Sequence, residues 1–109
     1  METRDNEQSG LQFLTDIDRL IHEPARLMIT AYLYVVESAD FLFLEKQTGL
    51  TRGNLSSHLS KLEEGGYVEI KKEFVEKIPR TLIRLSDKGR QALDDYRTRM
   101  KKILDELPD

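Results

Sequence analysis

Leucines recur at helical spacing between residues 50 and 64. Leu55, Leu59 and Leu62 stand at positions i, i+4 and i+7. An α-helix turns by about 100° per residue, so these side chains share one face. The opposite face is small or polar and comprises Gly53, Asn54, Ser57, Ser60 and Lys61, with Ser56 at its edge. The pattern predicts a helix over 52–64 whose buried leucines support a slim polar surface.

A shorter helix is predicted directly before this one. Asp40 is placed to cap the N-terminus of a helix over 41–48, and Gly49 is placed to end it in a left-handed conformation. Thr51 is placed to cap the helix that follows. Two helices joined by so short a turn form a helix-turn-helix, which we predict over 41–64.

Apolar and polar positions then alternate with the period of a β-strand. Gly65 and Gly66 end the helix, and a turn is predicted around Glu76, Lys77 and Pro79. The residues that share a face in the two flanking stretches are Val68, Ile70 and Phe74, then Thr81, Ile83 and Leu85. This arrangement predicts a β-hairpin over 67–85.

Further helices are predicted on both sides of this unit. An amphipathic helix is expected from Leu11 to Pro24, and residues 25–36 are apolar nearly all round, which predicts a helix enclosed by its neighbours. Ser86 is placed to cap a last helix over 87–107.

The predicted dimer contacts of the first and last helices are Leu14, Ile17, Ile21, Leu93, Tyr96, Met100, Ile103 and Leu107. The 3, 4, 3, 4 spacing in the last helix is typical of a coiled-coil seam, so we predict a homodimer.

Composition limits the class of protein. The chain has 109 residues and is 39% apolar, which suits one small domain over 11–109 after a polar, flexible tail of residues 1–10. It has no cysteine, which excludes disulfides, cysteine-ligated metals and thiol nucleophiles and favours a reducing cytoplasm. Neither a membrane-spanning run nor a signal-peptide core is recognisable.

Charge is unevenly distributed along the chain. The net charge is −3, yet residues 51–84 hold seven basic and five acidic residues, whereas residues 1–50 sum to −5. The last segment, 85–109, is balanced at six of each. Local surface potential decides attraction to polyanions, so a nucleic-acid site is expected in 51–84.

The stretches GLTRGNLSSHLSKLEEGGYVEIKKEF (49–74) and PRTLIRLSDKGRQAL (79–93), and more loosely ARLMITAYL (25–33), resemble winged-helix transcription regulators of the MarR and ArsR type. The resemblance is closer still to the short stand-alone winged-helix DNA-binding proteins of bacteria and archaea. It implies a mainly α fold with a small β-hairpin (α+β), consisting of a three-helix core, a wing and terminal dimerisation helices. It also implies a homodimer that binds double-stranded DNA, most often as a repressor, with an effector ligand in some members.

The resemblance also implies which residues face DNA. Helix 52–64 would be the recognition helix and hairpin 67–85 the wing. The residues carried over, together with two wing lysines, are Thr51, Arg52, Asn54, Ser56, Ser57, Lys61, Lys72, Lys77 and Arg80. We rank Arg80 above the wing lysines because they alternate with glutamates, whereas Arg80 has no acidic neighbour in the sequence.

Some features depart from the pattern or favour other functions. Glu45 and Thr48 stand where many such motifs carry alanine and an apolar residue, and the cysteines of the ArsR metal signature are absent. His58, on the flank of the leucine face, is expected to be structural. No catalytic, metal or cofactor motif is recognisable, so an enzyme is not expected. The alternative is a winged-helix module that binds proteins and not DNA.

Overall fold

The computed structural model describes residues 16–109, which form four helices and a three-stranded antiparallel sheet. In chain order the elements are α1 (Pro24–Val35), β1 (Ala39–Asp40), α2 (Phe41–Thr48), α3 (Arg52–Glu64), β2 (Val68–Val75), β3 (Ile78–Leu85) and α4 (Asp87–Asp105). The predicted helix-turn-helix and hairpin are confirmed. None of the helices in the described part is long and apolar enough to cross a membrane.

Local capping interactions fix the helix boundaries as predicted. The Asp40 carboxylate accepts from the Phe43 N–H at 2.8 Å, and the Thr51 hydroxyl accepts from the Asn54 N–H at 3.1 Å. Ser86 Oγ caps α4 by accepting from the backbone N–H three residues on, at 3.0 Å. Gly49 ends α2 with φ of 73°, in the left-handed region that glycine adopts without a steric penalty.

The sheet has the order β1-β3-β2, and the hairpin strands pair along their full length from Val68↔Leu85 to Val75↔Ile78. The turn consists of Glu76 and Lys77 alone, both with positive φ, whereas the sequence predicted a turn that also included Pro79. Pro79 lies inside β3, where the absence of its N–H is tolerated because β1 pairs only with residues 82 and 83.

One apolar core joins α1, α2, α3 and the base of the hairpin. Its buried members are Ile29, Leu33, Ala39, Leu44, Leu55, Leu59, Leu62, Val68, Ile83 and Leu85. The three leucines predicted to anchor α3 are among them. Burial of each such side chain contributes about 1.5–3 kcal/mol, which offsets the weak helix propensity of the polar face of α3.

A second cluster packs α4 against the segment before α1. It consists of Ile17, Ile21, Tyr96 and Ile103. The helix predicted from Leu11 to Pro24 is wrong for residues 16–22, which form turns. Residues 11–15, with Leu14, lie outside the described part. The cause is Asp18, whose carboxylate accepts from the N–H groups of Leu20 and Ile21 at 2.9 and 3.2 Å and so competes with a continuous helix.

Two expectations about the flanking helices differ from the structure. Helix α1 is not enclosed within the chain, because Val35 is 81% exposed and Met28 is 40% exposed. Helix α4 ends at Asp105, two residues before the predicted end, so Leu107 follows the helix and is 61% exposed. The residue before a proline is disfavoured in helical conformation, and Pro108 follows Leu107.

Candidate nucleic-acid interface

Helix α3 presents the slim polar surface that its sequence predicts. Leu55, Leu59 and Leu62 are at most 2% exposed. Asn54, Ser57 and Lys61 are exposed on the other side of the helix, as are Thr51, Arg52, Gly53 and Ser56. A surface of small side chains and short hydrogen-bonding groups can approach base edges and phosphates closely.

A cleft of about 1010 Å³ separates α3 from the hairpin. One wall is formed by Arg52, Ser56 and Ser60, at intervals of four along α3, and the other by Lys72, Arg80 and Thr81 of the hairpin. Glu63 and Glu76 also line the cleft. Ser60 was not among the predicted contacts, although its spacing from Arg52 and Ser56 would have placed it on the same stripe.

Arg52, at the N-terminus of α3, contacts two residues of α2. Its Nη2 lies 3.7 Å from Glu45 Oε1, and its guanidinium lies 6.0 Å from the centre of the Phe41 ring. The Arg52 side chain nevertheless stays 68% exposed. Glu45, which departs from the motif of related sequences, therefore positions a predicted DNA contact.

Arg80 also has an acidic partner, contrary to the sequence-based expectation. Its Nη2 donates to Asp40 Oδ2 at 2.9 Å. The Phe43 N–H and the Arg80 guanidinium together hold the pKa of the Asp40 carboxyl below its ordinary value. Asp40 thus caps α2 and fixes the wing at once. The pair was missed because the two residues lie 40 positions apart in the sequence.

Two of the four other basic side chains of the hairpin are also paired. Arg84 Nε lies 2.9 Å from Glu69 Oε1 and Lys71 Nζ lies 3.6 Å from Glu73 Oε1. Lys72 and Lys77 have no acidic partner among the residues that the structure describes. Of the hairpin cations, these two are therefore the most available to a phosphate.

His58 connects α3 to the start of α1. Arg26 Nη1 donates to His58 Nδ1 at 3.1 Å, and Glu23 Oε1 lies 3.9 Å from the same nitrogen. Glu23 also caps α1 by accepting from the Arg26 N–H at 2.7 Å, a bond that lowers the pKa of its carboxyl. His58 is 19% exposed, so the structure supports the structural role expected for it. No group of residues in the described part could hold a metal ion.

The residues predicted for a dimer interface fall into two sets. Ile17, Ile21, Tyr96 and Ile103 are buried within one chain, whereas Leu93 and Met100 are partly exposed and Leu107 is exposed. Leu93, Tyr96 and Met100 line a largely apolar groove of about 660 Å³ between α1 and α4, together with Leu27, Tyr34, Val35 and Leu104. An interface between copies stays a prediction, and this groove is the surface in the described part that such an interface would use.

Known proteins are similar to this chain in sequence and in fold. Residues 25–104 match the model of a family described as a winged helix DNA-binding domain. The uncharacterized protein MJ0432 of Methanocaldococcus jannaschii is 40% identical over 78 residues, covering 72% of this chain and 85% of that protein.

Two solved structures have a fold similar to that of this chain. A transcriptional regulator homologue from Pyrococcus horikoshii OT3 is 30% identical, with a TM-score of 0.82 over 88% of this chain and 99% of that one. The PcaV transcriptional regulator from Streptomyces coelicolor, solved with its natural ligand, is 19% identical, with a TM-score of 0.69 over 86% of this chain and 65% of that one.

Proposed function

The chain belongs to the winged-helix DNA-binding family, and from this premise we propose that it is a transcription regulator that binds a specific operator as a homodimer. The observation that carries the proposal is the polar face of α3, which is exposed and held outward by three buried leucines. In this proposal α3 lies in the major groove, and the hairpin lies over the neighbouring backbone.

Each predicted contact then has a physical role. Asn54 and Ser57 reach base edges from α3, and Lys61 binds a phosphate. The first turn of α3, with Thr51 and Arg52, attracts a second phosphate because backbone N–H groups point outward at a helix N-terminus. Ser56 lines the cleft together with Arg52 and would contact the sugar-phosphate backbone there.

Arg52 and Arg80 would exchange partners on binding. In the free chain each lies near a carboxylate of the α2 region, Glu45 and Asp40 respectively. A DNA phosphate accepts bidentate hydrogen bonds from a guanidinium at least as well as a carboxylate does. We infer that both arginines turn to phosphates in the complex, so their pairing in the free chain reduces the affinity that they add.

Homodimerisation through the groove between α1 and α4 would complete the site. A two-fold axis would place the two recognition helices in successive major grooves, about 34 Å apart. Repression would follow from occupying a promoter. A small-molecule effector is also part of the proposal, since PcaV was solved with its natural ligand and the groove here is lined mainly by apolar side chains.

Salt-dependent binding tests the proposal. DNA that the wild-type protein selects from a random pool should bind with an affinity that falls steeply as salt rises. Lys61→Gln and Lys72→Gln should each reduce the slope of log K against log salt by about one unit, because each removes one phosphate contact. Lys102→Gln, which removes an exposed lysine of α4 that does not line the groove between α1 and α4, is the matched control and should leave the slope unchanged.

The paired charges of the hairpin favour one other function, a module that binds proteins through the same fold. It predicts that no DNA is selected from the pool even at low salt. Selection with a steep salt slope excludes that alternative, and absence of selection overturns the regulator.

A further inference from the structure

The tip of the hairpin is apolar on its exposed surface. Phe74 is 75% exposed and Ile78 is 62% exposed, and Pro79, directly opposite Phe74, is exposed as well. Phe74 shares the strand face of Val68 and Ile70, which the core covers, but it lies beyond the core's edge. Phe74 and Pro79 therefore form an exposed apolar cluster on this face, whereas Ile78, opposite Val75, lies on the other face. Exposed clusters of apolar side chains often mark contact surfaces.

The hairpin presents this cluster rigidly. Its strands stay paired up to Val75↔Ile78, and the two turn residues have φ values of 53° and 69°. Positive φ at both central residues is typical of the type I′ turn, whose twist matches that of the strands. A two-residue turn on a fully paired ribbon makes a narrow projection with little freedom to fold back.

Electrostatics alone gives this projection little attraction for DNA. Arg80, Arg84 and Lys71 lie within 3.6 Å of carboxylates. Lys72, two residues before Phe74, and Lys77, directly before Ile78, nevertheless flank the apolar tip, and the turn also carries Glu76. Two lysines beside an apolar tip suit a groove walled by phosphates and floored by base edges.

We propose that Phe74, with Pro79 beside it on the same face of the hairpin, enters the minor groove next to the major-groove site of α3 and wedges apart a base step there. The inference rests on the proposed function. The cleft between α3 and the hairpin supports it, because Arg52 and Ser56 on one wall and Pro79 and Arg80 on the other would straddle one backbone strand. The groove beyond that strand is then the one that the tip meets.

This contact would determine specificity. Apolar side chains inserted between base pairs unstack them and kink the duplex. Pyrimidine–purine steps such as TA and CA deform most easily. The wing would therefore select a flexible step at a fixed distance from the bases that α3 reads, without a hydrogen bond to that step.

Two substitutions at Phe74 test the proposal. Phe74→Ser removes the wedge from an exposed site, whereas Phe74→Leu keeps an apolar side chain of the kind that other wedges use. On the duplex selected by the wild type, we expect Phe74→Ser to bind about tenfold more weakly, as when one recognised position is lost. We expect Phe74→Leu to bind within about threefold of the wild type. Neither change should alter the salt slope, because neither removes a phosphate contact.

A second readout reports the wedge directly. 2-Aminopurine fluoresces more strongly when it is unstacked, so it can be placed at successive positions beside the α3 site. Its fluorescence should rise at one step when the wild type or Phe74→Leu binds, and should not rise with Phe74→Ser. Energy transfer between dyes at the duplex ends should report a smaller bend for Phe74→Ser. Ile78→Thr keeps a β-branched residue in the strand and changes the opposite face of the hairpin, so it is the matched control and should leave both signals as in the wild type.

The outcomes separate this inference from the proposed function. If the wild type selects DNA with a steep salt slope but Phe74→Ser binds equally well and unstacks the same step, the wedge is refuted and the regulator stands. If Phe74→Ser instead changes the sedimentation of the free protein, the tip is a contact between copies and the wedge is also refuted. If the wild type selects no DNA, both proposals fail together.

Discussion

Gly53 occupies the first turn of α3 with open space around it. A Cβ added there meets no atom within 4 Å, and the residue has no positive φ. Alanine favours a helix over glycine by up to about 1 kcal/mol, so Gly53→Ala should raise the free energy of unfolding by about 0.5 kcal/mol in this end turn. Its methyl group would also thicken the surface that faces DNA, so operator affinity should fall. Urea unfolding and a binding titration measure the two effects.

Gly49 provides the contrast for that experiment. It too has no atom within 4 Å of an added Cβ, but its φ is +73°. Gly49→Ala should therefore destabilise the chain by about 1 kcal/mol from backbone strain alone. If Gly53→Ala raised both stability and affinity, the close approach of α3 to the duplex would be contradicted.

Asp40 makes stability depend on pH through a single carboxylate. Its pKa in the folded chain lies below the ordinary value of 3.8, because it accepts from the Phe43 N–H and from Arg80. A lowered pKa gives stability that is complete above about pH 4 and is lost as pH falls through the folded-state pKa. Asp40→Asn, which keeps the cap but not the charge, should lower the free energy of unfolding by about 0.5 kcal/mol at pH 7.

The difference between the two proteins should then shrink toward zero as pH falls through the folded-state pKa of Asp40 and its carboxyl becomes protonated. Urea unfolding followed by circular dichroism over a series of pH values from neutral to acid checks this. Asp109→Asn, which removes an exposed carboxylate near the C-terminus, is the control. A difference that stays constant with pH would show that the ion pair with Arg80 adds nothing.

At the scale of elements, the junction between the hairpin and α4 is the most closely packed. A Cβ on Gly89 would lie 2.1 Å from the Tyr67 carbonyl oxygen, which accepts from the Ser86 N–H. Because this neighbour is backbone that other bonds hold, Gly89→Ala should destabilise the chain by about 2 kcal/mol or more. Gln91→Ala, at an exposed position two residues on, should change stability by less than about 0.5 kcal/mol. Thermal unfolding measures both.

A second set of bonds at this junction involves Tyr67 itself. Its hydroxyl donates to the Asp18 carboxylate, and burial together with that carboxylate raises the pKa of Tyr67 to about 12. The same carboxylate organises the turns before α1. The base of the wing is therefore tied to the segment that carries Ile17 and Ile21, and through them to α4.

The elements that sequence alone predicted share one property, which is that local signals define them. Caps at Asp40, Thr51 and Ser86, and the glycine at 49, act within four residues of themselves. Strand β1 could not be foreseen in this way, because two residues carry no periodicity and β1 exists only through pairing with Ile83 and Leu82. The turns over 16–22 were missed because apolar spacing alone suited a helix.

The contacts of the candidate DNA site divide in the same way, into those that local signals define and those that depend on the fold. The outer face of α3 was predictable because the leucines fix its direction. The partners of Arg52 and Arg80 were not, since Glu45 and Asp40 reach them only through the fold. Exposure of Phe74 was also unpredictable, because strand alternation gives the face of a residue but not where the core ends.

At the scale of the whole molecule, one face of the described chain lacks a cover. Val35 of α1 and Leu104 of α4 are 81% and 57% exposed and line the same groove. The coiled-coil spacing of α4 predicted a seam between copies, but Tyr96 and Ile103 of that seam pack inside the chain. A dimer would therefore use the neighbouring stripe of Leu104, Met100 and Leu93.

This shift decides how the dimer must be tested. A lysine at Ile103, which is only 9% exposed, would place a charge in the core and unfold the chain, so loss of a dimer there would prove nothing. The test must therefore use side chains that are exposed in one chain.

Val35→Lys combined with Leu104→Lys alters exposed side chains alone. We expect this variant to keep its helical circular dichroism, sediment as a monomer and lose most of its operator affinity, because one recognition helix reads half a site. The control is Leu42→Lys. Leu42 is an apolar side chain of α2 that is 63% exposed, and its replacement should leave sedimentation unchanged. If the double-lysine variant still sediments as a dimer, the interface lies elsewhere. The proposal that this groove sets the two recognition helices about 34 Å apart is then contradicted.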